Sequence, residues 1–223
     1  PVFIDIQTQS NAAALEIVSQ FLPDDKADEI QSKAELVPEV SQVAILTYSC
    51  LSIRDGEIRT GAQARGKDKD ETALLIAFSV LVEKYQPIIV WNEFTLQYPL
   101  NRCATIGLKL SRLIDAKPWK GEVFAIQNLL MQWRGFSGSM WLSFEAVAAA
   151  YGMTQPWTPH ITGAQVLGLL IDAPHKAIAY SMWRVATLKV LFDAMSGVLV
   201  PDYGQQSQNY AAEIEAALEH YQA

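Results

Sequence analysis

What this 223-residue sequence has little of narrows the field first. It carries two cysteines, Cys50 and Cys103, in neither a metal-type nor a redox-type spacing. That excludes a disulfide framework and a zinc module, and the simplest compartment for such usage is a reducing cytoplasm. Three histidines, His160, His175 and His220, show no ligand spacing and read as surface or capping residues. No run reaches the roughly 20 apolar residues needed to span a bilayer. The opening Pro1-Val-Phe-Ile-Asp-Ile reads as a strand, without the basic start and small-residue end of a leader peptide. Basic residues are outnumbered: a net charge of −7 excludes a generally cationic surface that attracts any nucleic acid, while leaving room for a local basic groove. Charged residues make up only 18% against 50% hydrophobic, so the chain has the material for a sizeable core in one domain. We expect a domain over residues 1–195 and a tail with a helix over 196–223.

Periodicity then places the elements. Val2–Ile6 is a short β-branched run and predicts a buried strand. Asn11–Gln20 has helical spacing, with Asn11 as its cap. Residues 23–39, bracketed by prolines, predict a short helix or surface loop. Ser41–Ser52 predicts a strand, turning at Arg54-Asp-Gly-Glu57 into Ile58–Thr60, with a loop over Gly61–Asp70. Glu71–Tyr85 is amphipathic through Leu74, Leu75, Phe78, Leu81 and Val82. A second buried strand follows at Pro87–Trp91. Helices are expected over Tyr98–Asp115, Ser143–Tyr151 (closed by Gly152), Thr162–Leu170, His175–Val198 and Asn209–Gln222. This order predicts an α/β protein with a mixed sheet, three antiparallel strands early and parallel ones flanking them.

Three stretches carry a resemblance. Phe3-Ile-Asp-Ile-Gln-Thr8 is similar to a strand motif Phe-Asp-Ile-Glu-Thr. Ile89-Val-Trp-Asn-Glu-Phe-Thr-Leu-Gln-Tyr-Pro99 is similar to Asn, three variable residues, then Phe-Asp-Leu-Pro. Ile178-Ala-Tyr-Ser-Met-Trp-Arg-Val185 is similar to Tyr-Cys, two variable residues, then Asp-Val. Leu142-Ser-Phe-Glu-Ala-Val-Ala and Gly163-Ala-Gln-Val166 fall between the last two in the right order. Together they resemble the predicted 3′–5′ exonuclease family related to the proofreading domain of family-B DNA polymerases, in the DnaQ-like, RNase H-like superfamily. The resemblance spans about residues 1–195.

Such enzymes use two divalent cations, held by four acids, to clamp the attacking and leaving oxygens. By resemblance, Asp5 keeps the first acid position, while Gln7, Gln97 and Arg184 stand where the other three acids belong. Tyr180 keeps the position that orients the attacking water. Two acids have thus become neutral amides and one has reversed its charge. Arg184 is expected near Asp5, replacing the metal as an internal countercharge, in a bidentate pair. Taken alone, Asp5 reads equally as a strand-end residue bonded to backbone, Tyr180 as a core tyrosine, and Arg184 as a salt-bridge residue. Glu93 and Asp172 do not make up the missing ligands, because a two-metal site needs several preorganised carboxylates.

The resemblance therefore implies a catalytically inactive exonuclease-like domain that binds single-stranded nucleic acid or a protein of a nucleic-acid-processing assembly. No cofactor is expected. An active Mg²⁺- or Mn²⁺-dependent exonuclease with an altered site, or a purely protein-interacting domain, are the alternatives. For nucleic-acid contact the candidates are Asn92, Arg102, Lys109, Arg112 and Arg134, with Lys117, Lys120, Arg65, Lys67 and Lys69 beside them. The same charges read equally as a solvated face. Trp133 and Trp141, flanking Arg134-Gly-Phe-Ser-Gly-Ser, are candidates to stack bases.

Overall fold

In the computed structural model, which describes residues 1–34, 37, 41–51, 58–65, 70–85, 87–92, 94–108, 126–130 and 143–197, alternation along one strand divides the molecule. Strand β1 (Val2–Ser10) turns Val2, Ile4 and Ile6 to one face and Phe3, Asp5 and Gln7 to the other. It pairs antiparallel with β2 (Ser41–Leu51), which pairs antiparallel with β3 (Ile58–Ala64). On the other side β4 (Ile88–Val90) and β5 (Ile126–Asn128) run parallel to β1. The sheet order is β3-β2-β1-β4-β5. The expected mixed α/β sheet is present: three antiparallel strands come early in the chain, and the parallel β4 and β5 continue the sheet beyond β1.

Helices cover both faces. Ile4 and Val2 pack with Leu74, Phe78 and Val82 of α3 (Glu71–Lys84) and with Leu96 and Tyr98 of α4 (Phe94–Thr105). Phe3, Ile45 and Ile89 pack with α5 (Phe144–Ala150) and with α7 (Pro174–Met195), whose Trp183 is among the largest fully buried side chains. Burying a large apolar side chain contributes about 1.5–3 kcal/mol, so these two clusters fix which face α7 takes. Between α5 and α7, a short 3₁₀ turn (Gly163–Gln165) leads into α6 (Val166–Asp172). After β1, α1 (Ala12–Ser19) and α2 (Asp24–Ser32) pack on each other.

The expected Asn11 start and Gly152 close are present, and Asp70, expected as the end of a loop, is also a cap. Asn11, Asp70 and Ser143 each accept a backbone N–H three residues on, starting α1, α3 and α5. Gly152, at φ +76°, closes α5 as Met153 N–H donates to the Ala148 carbonyl.

Three boundaries differ. Gly61–Ala64, expected in a loop, belongs to β3, because pairing with Ile45–Tyr48 extends that strand. Gly61 is needed there: a Cβ would stand 2.7 Å from the Tyr48 ring that lies over it. The helix expected over Tyr98–Asp115 instead begins at Phe94 and closes at Ile106. Gly107, at φ +74°, caps it, with Leu108 N–H donating to the Cys103 carbonyl and Gly107 N–H to that of Ala104. The third is β5, whose three residues are too short to give a periodic signal. The Arg54–Glu57 turn and the Asn209–Gln222 helix lie outside the described residues.

Candidate functional site

Asp5 and Arg184 stand 179 residues apart in sequence and meet across the β1–α7 interface. Arg184 Nε donates to Asp5 Oδ2 at 2.9 Å and Nη2 to Asp5 Oδ1 at 3.3 Å, a two-pronged fork. The guanidinium's third nitrogen, Nη1, donates to Glu145 Oε1 at 2.7 Å and to Tyr180 Oη at 3.3 Å. Tyr180 in turn donates to Glu145 Oε1 at 2.6 Å. Gln7 Nε2 completes the ring of donors on Asp5 at 3.0 Å from Oδ2.

Local structure explains why these atoms converge. Asp5 and Gln7 share a strand face by the period of two, and Tyr180 and Arg184 share a helix face at i, i+4. Thr47, opposite Asp5 on β2, donates to the Asp5 carbonyl at 3.2 Å. Phe144 supports the guanidinium from below, its ring centroid 4.6 Å from Arg184 Cζ, within cation–π range. Glu145 follows Phe144 in the first turn of α5, so the Ser143 cap that starts the helix also aims this carboxylate.

Electrostatics follow from burial and from the shared guanidinium. The Asp5 side chain is 5% exposed, and burial raises its carboxyl above the ordinary value against the opposing pull of Arg184 and Gln7. Its two oxygens still accept three N–H bonds, the arrangement of an ionised carboxylate. Burial also pushes Glu145 up, but Arg184 and the Tyr180 hydroxyl outweigh it and leave that carboxyl below its ordinary value. Burial raises Tyr180 well above the usual phenol range, so its hydroxyl keeps its proton, donating to Glu145 while accepting from Arg184 Nη1. Arg184 keeps its proton firmly, because the attraction of Asp5, Tyr180 and Glu145 exceeds the burial that opposes it.

The cluster borders a cavity of about 330 Å³. Asp5, Gln7, Thr8, Asn92, Thr95 and Arg184 are on its wall, so most of the lining polarity is uncharged amide and hydroxyl. Asn92 Oδ1 accepts the Thr95 N–H at 3.2 Å and its hydroxyl at 3.3 Å, and so holds the first turn of α4.

No family model matches the chain, and neither a curated protein nor a solved structure matches it.

Not every residue singled out in the sequence reaches this place. Gln97 is exposed on α4 and donates to Asn101 Oδ1 at 2.9 Å, away from the Asp5 cavity wall. Arg102 is 7% exposed and grips Glu71, with Nε donating to Oε1 at 2.8 Å and Nη2 to Oε2. It is therefore no part of a surface phosphate track, because its donors serve an ion pair inside the fold. Arg65 donates to Gln42. Lys109, Arg112, Arg134, Lys117, Lys120, Lys67 and Lys69, together with Glu93, Trp133 and Trp141, lie outside the described residues. Glu145 was not singled out by the sequence; its signal was its position two residues after the Ser143 cap, inside the stretch Leu142-Ser-Phe-Glu-Ala-Val-Ala that takes part in the resemblance. Among the described residues no three His, Cys, Asp or Glu are grouped to hold a metal ion.

Proposed function

We propose that this chain is an exonuclease-like domain of the RNase H-like class that does not work as a nuclease. It serves as a single-stranded nucleic-acid-binding or scaffolding module within a nucleic-acid-processing assembly. The observation that carries the reading is the Arg184 fork on Asp5. Where the resembling family places cations between carboxylates, this chain places its own guanidinium, bonded to Asp5 on two nitrogens and to Glu145 on the third. The residues present do not fit a pair of divalent ions: both Asp5 oxygens and the Glu145 Oε1 are taken by N–H or O–H donors. An ion entering there meets a fixed positive charge before it meets a free ligand.

The strand order β3-β2-β1-β4-β5 supports the fold part of the reading, since an antiparallel trio followed by parallel strands is what the resemblance implies. Binding without catalysis draws support from the cavity wall. Asp5 and Arg184 cancel, and Gln7, with the Asn92 amide nearby on the wall, presents an amide where the resembling family carries an acid that repels phosphate unless cations intervene. The scaffolding part draws on α1, which buries no residue and is followed by Phe21 at 81% exposure.

A degradation assay on 5′-labelled single strands, with Mg²⁺ or Mn²⁺, an EDTA control and Asp5→Ala, tests this. The expected result is no shortening under any condition, with strand retention on a native gel. Metal-dependent shortening from the 3′ end that disappears in Asp5→Ala overturns the proposal. Intact strand without retention leaves scaffolding as the function.

A further inference from the structure

A second cavity, of about 520 Å³, adjoins the first, and Ala164 lines both. Its volume falls within the roughly 300–1,000 Å³ of small-ligand clefts. Four of its features are chemically distinct. Trp157 is half-buried, packed against the core while also lining the cavity. Leu169 gives an apolar wall. Gln165 spends its Oε1 on the Thr162 N–H and hydroxyl, so its NH₂ group is what remains to give. Asp172 and Lys176 supply one charge of each sign.

The two charges are the informative part. Asp172 ends α6 and Lys176 lies in the first turn of α7. At four residues' separation in one helix they would pair. Ala173, at φ −150° and ψ 66°, breaks the helix between them. Neither makes an ion pair among the described residues, and both line the cavity. The cavity thus brings together a carboxylate and an ammonium that are in no ion pair among the described residues, and an aromatic side chain.

We propose that this cavity is a ribonucleotide subsite, taking one nucleotide of an RNA strand whose neighbour lies in the Asp5 cavity. The proposal rests on the nucleic-acid-binding reading above and names its ligand. The base stacks on Trp157 against Leu169, with the Gln165 amide at its edge. Lys176 takes the phosphate as a point charge. Asp172 accepts from the ribose hydroxyls, the group that separates RNA from DNA at a given site. An acidic peptide meets Asp172 and a basic one meets Lys176, whereas a ribonucleotide satisfies both. A deoxyribonucleotide leaves the carboxylate without its 2′-hydroxyl.

The test uses the full chain in EDTA and fluorescence anisotropy of 5′-labelled hexariboadenylate and hexadeoxyadenylate across a salt series. The ribose strand is expected to bind about fivefold tighter, with Asp172→Asn reducing that ratio to about two or less. Lys176→Ala is expected to weaken both strands and to lower the salt slope by about 0.7, one phosphate contact on a single strand. Trp157→Ala is expected to weaken binding about tenfold, and Trp157→Phe to keep most of it, which separates lost stacking from lost folding. Equal binding of the two strands, unaffected by these variants, overturns the subsite and leaves the nucleic-acid-binding reading standing. Metal-dependent shortening in the degradation assay overturns the non-nuclease reading but not the subsite. Failure to bind either strand overturns the subsite and the nucleic-acid-binding reading together.

Discussion

Arg102, buried, and Arg184, partly buried, are both gripped on two guanidinium nitrogens by a carboxylate, and they belong to opposite faces of one sheet. The Arg102–Glu71 pair is closed on every side: its side chains are 9% and 8% exposed, and Glu71 Oε1 also accepts the Val43 N–H of β2 at 2.8 Å. It ties α3 and α4 to a strand and touches no cavity of the candidate site. The Arg184 cluster has a similar fork but borders an open cavity and spreads over a second carboxylate, Glu145, that is 30% exposed. The same chemistry therefore knits elements together in one place and neutralises a pocket wall in the other. What separates the two is access, because a cation or a ligand can reach only the second.

Breaking each pair is the sharpest way to test that contrast. Glu71→Ala strands Arg102 without a counterion in a closed site and is expected to cost about 3–5 kcal/mol by urea denaturation, the largest effect here. Combining Glu71→Gln with Arg102→Met is expected to recover much of it; no recovery means that the pair matters through shape rather than charge. Arg184→Ala is expected to cost less, about 2–3 kcal/mol, because the adjoining cavity lets water reach Asp5 and Glu145. If Arg184 costs as much as Glu71, the difference in access is wrong. Replacing Arg184→Asp together with Gln7→Glu is expected to make the thermal midpoint rise with Mn²⁺, while the unsubstituted chain shows no such response. An equal rise in both removes the internal-countercharge account.

A titration sharpens the comparison further. Glu145 lies below its ordinary value of 4.5, so the stability it contributes is present above pH 4.5 and is lost as pH falls through its folded value. Asp5 lies above its ordinary 3.8 and acts in the opposite sense: its contribution is complete below pH 3.8 and is lost as pH rises through its folded value. Glu145→Gln is therefore expected to flatten the acid limb of the thermal midpoint measured over roughly pH 3–6. An acid limb identical to that of the unsubstituted chain rules out the Glu145 contribution. The smallest effect is reserved for Gln97→Ala, an exposed change expected to stay within about 0.5 kcal/mol by urea denaturation. A larger loss places Gln97 in the buried network after all.

Much of the architecture was legible because it is local. Val2, Ile4 and Ile6 alternate with Phe3, Asp5 and Gln7, and that period alone makes β1 a two-faced strand with its polar pair on one side. The apolar spacing of α3 and the caps at Asn11 and Ser143 likewise depend on neighbours within a turn. Tyr180 and Arg184 are bound to share a face by helix geometry. Arg102 misled for the converse reason: in sequence it heads a basic run, and nothing local reveals that Glu71, 31 residues earlier, closes over it. Gln97 had the right motif spacing, but it lies on the exposed face of α4 and donates to Asn101 instead.

Sequence by itself determined which residues share a strand face or a helix face, because a two-residue and a 3.6-residue repeat are properties of the backbone. The meeting of Asp5 with Arg184 was expected from the resemblance and not from any local pattern, and only the tertiary structure decided that Glu145 joins them and that Arg102 turns inward. Those outcomes depend on sheet order and on which apolar cluster each helix buries, and such contacts join residues too far apart in the chain for any local pattern to specify.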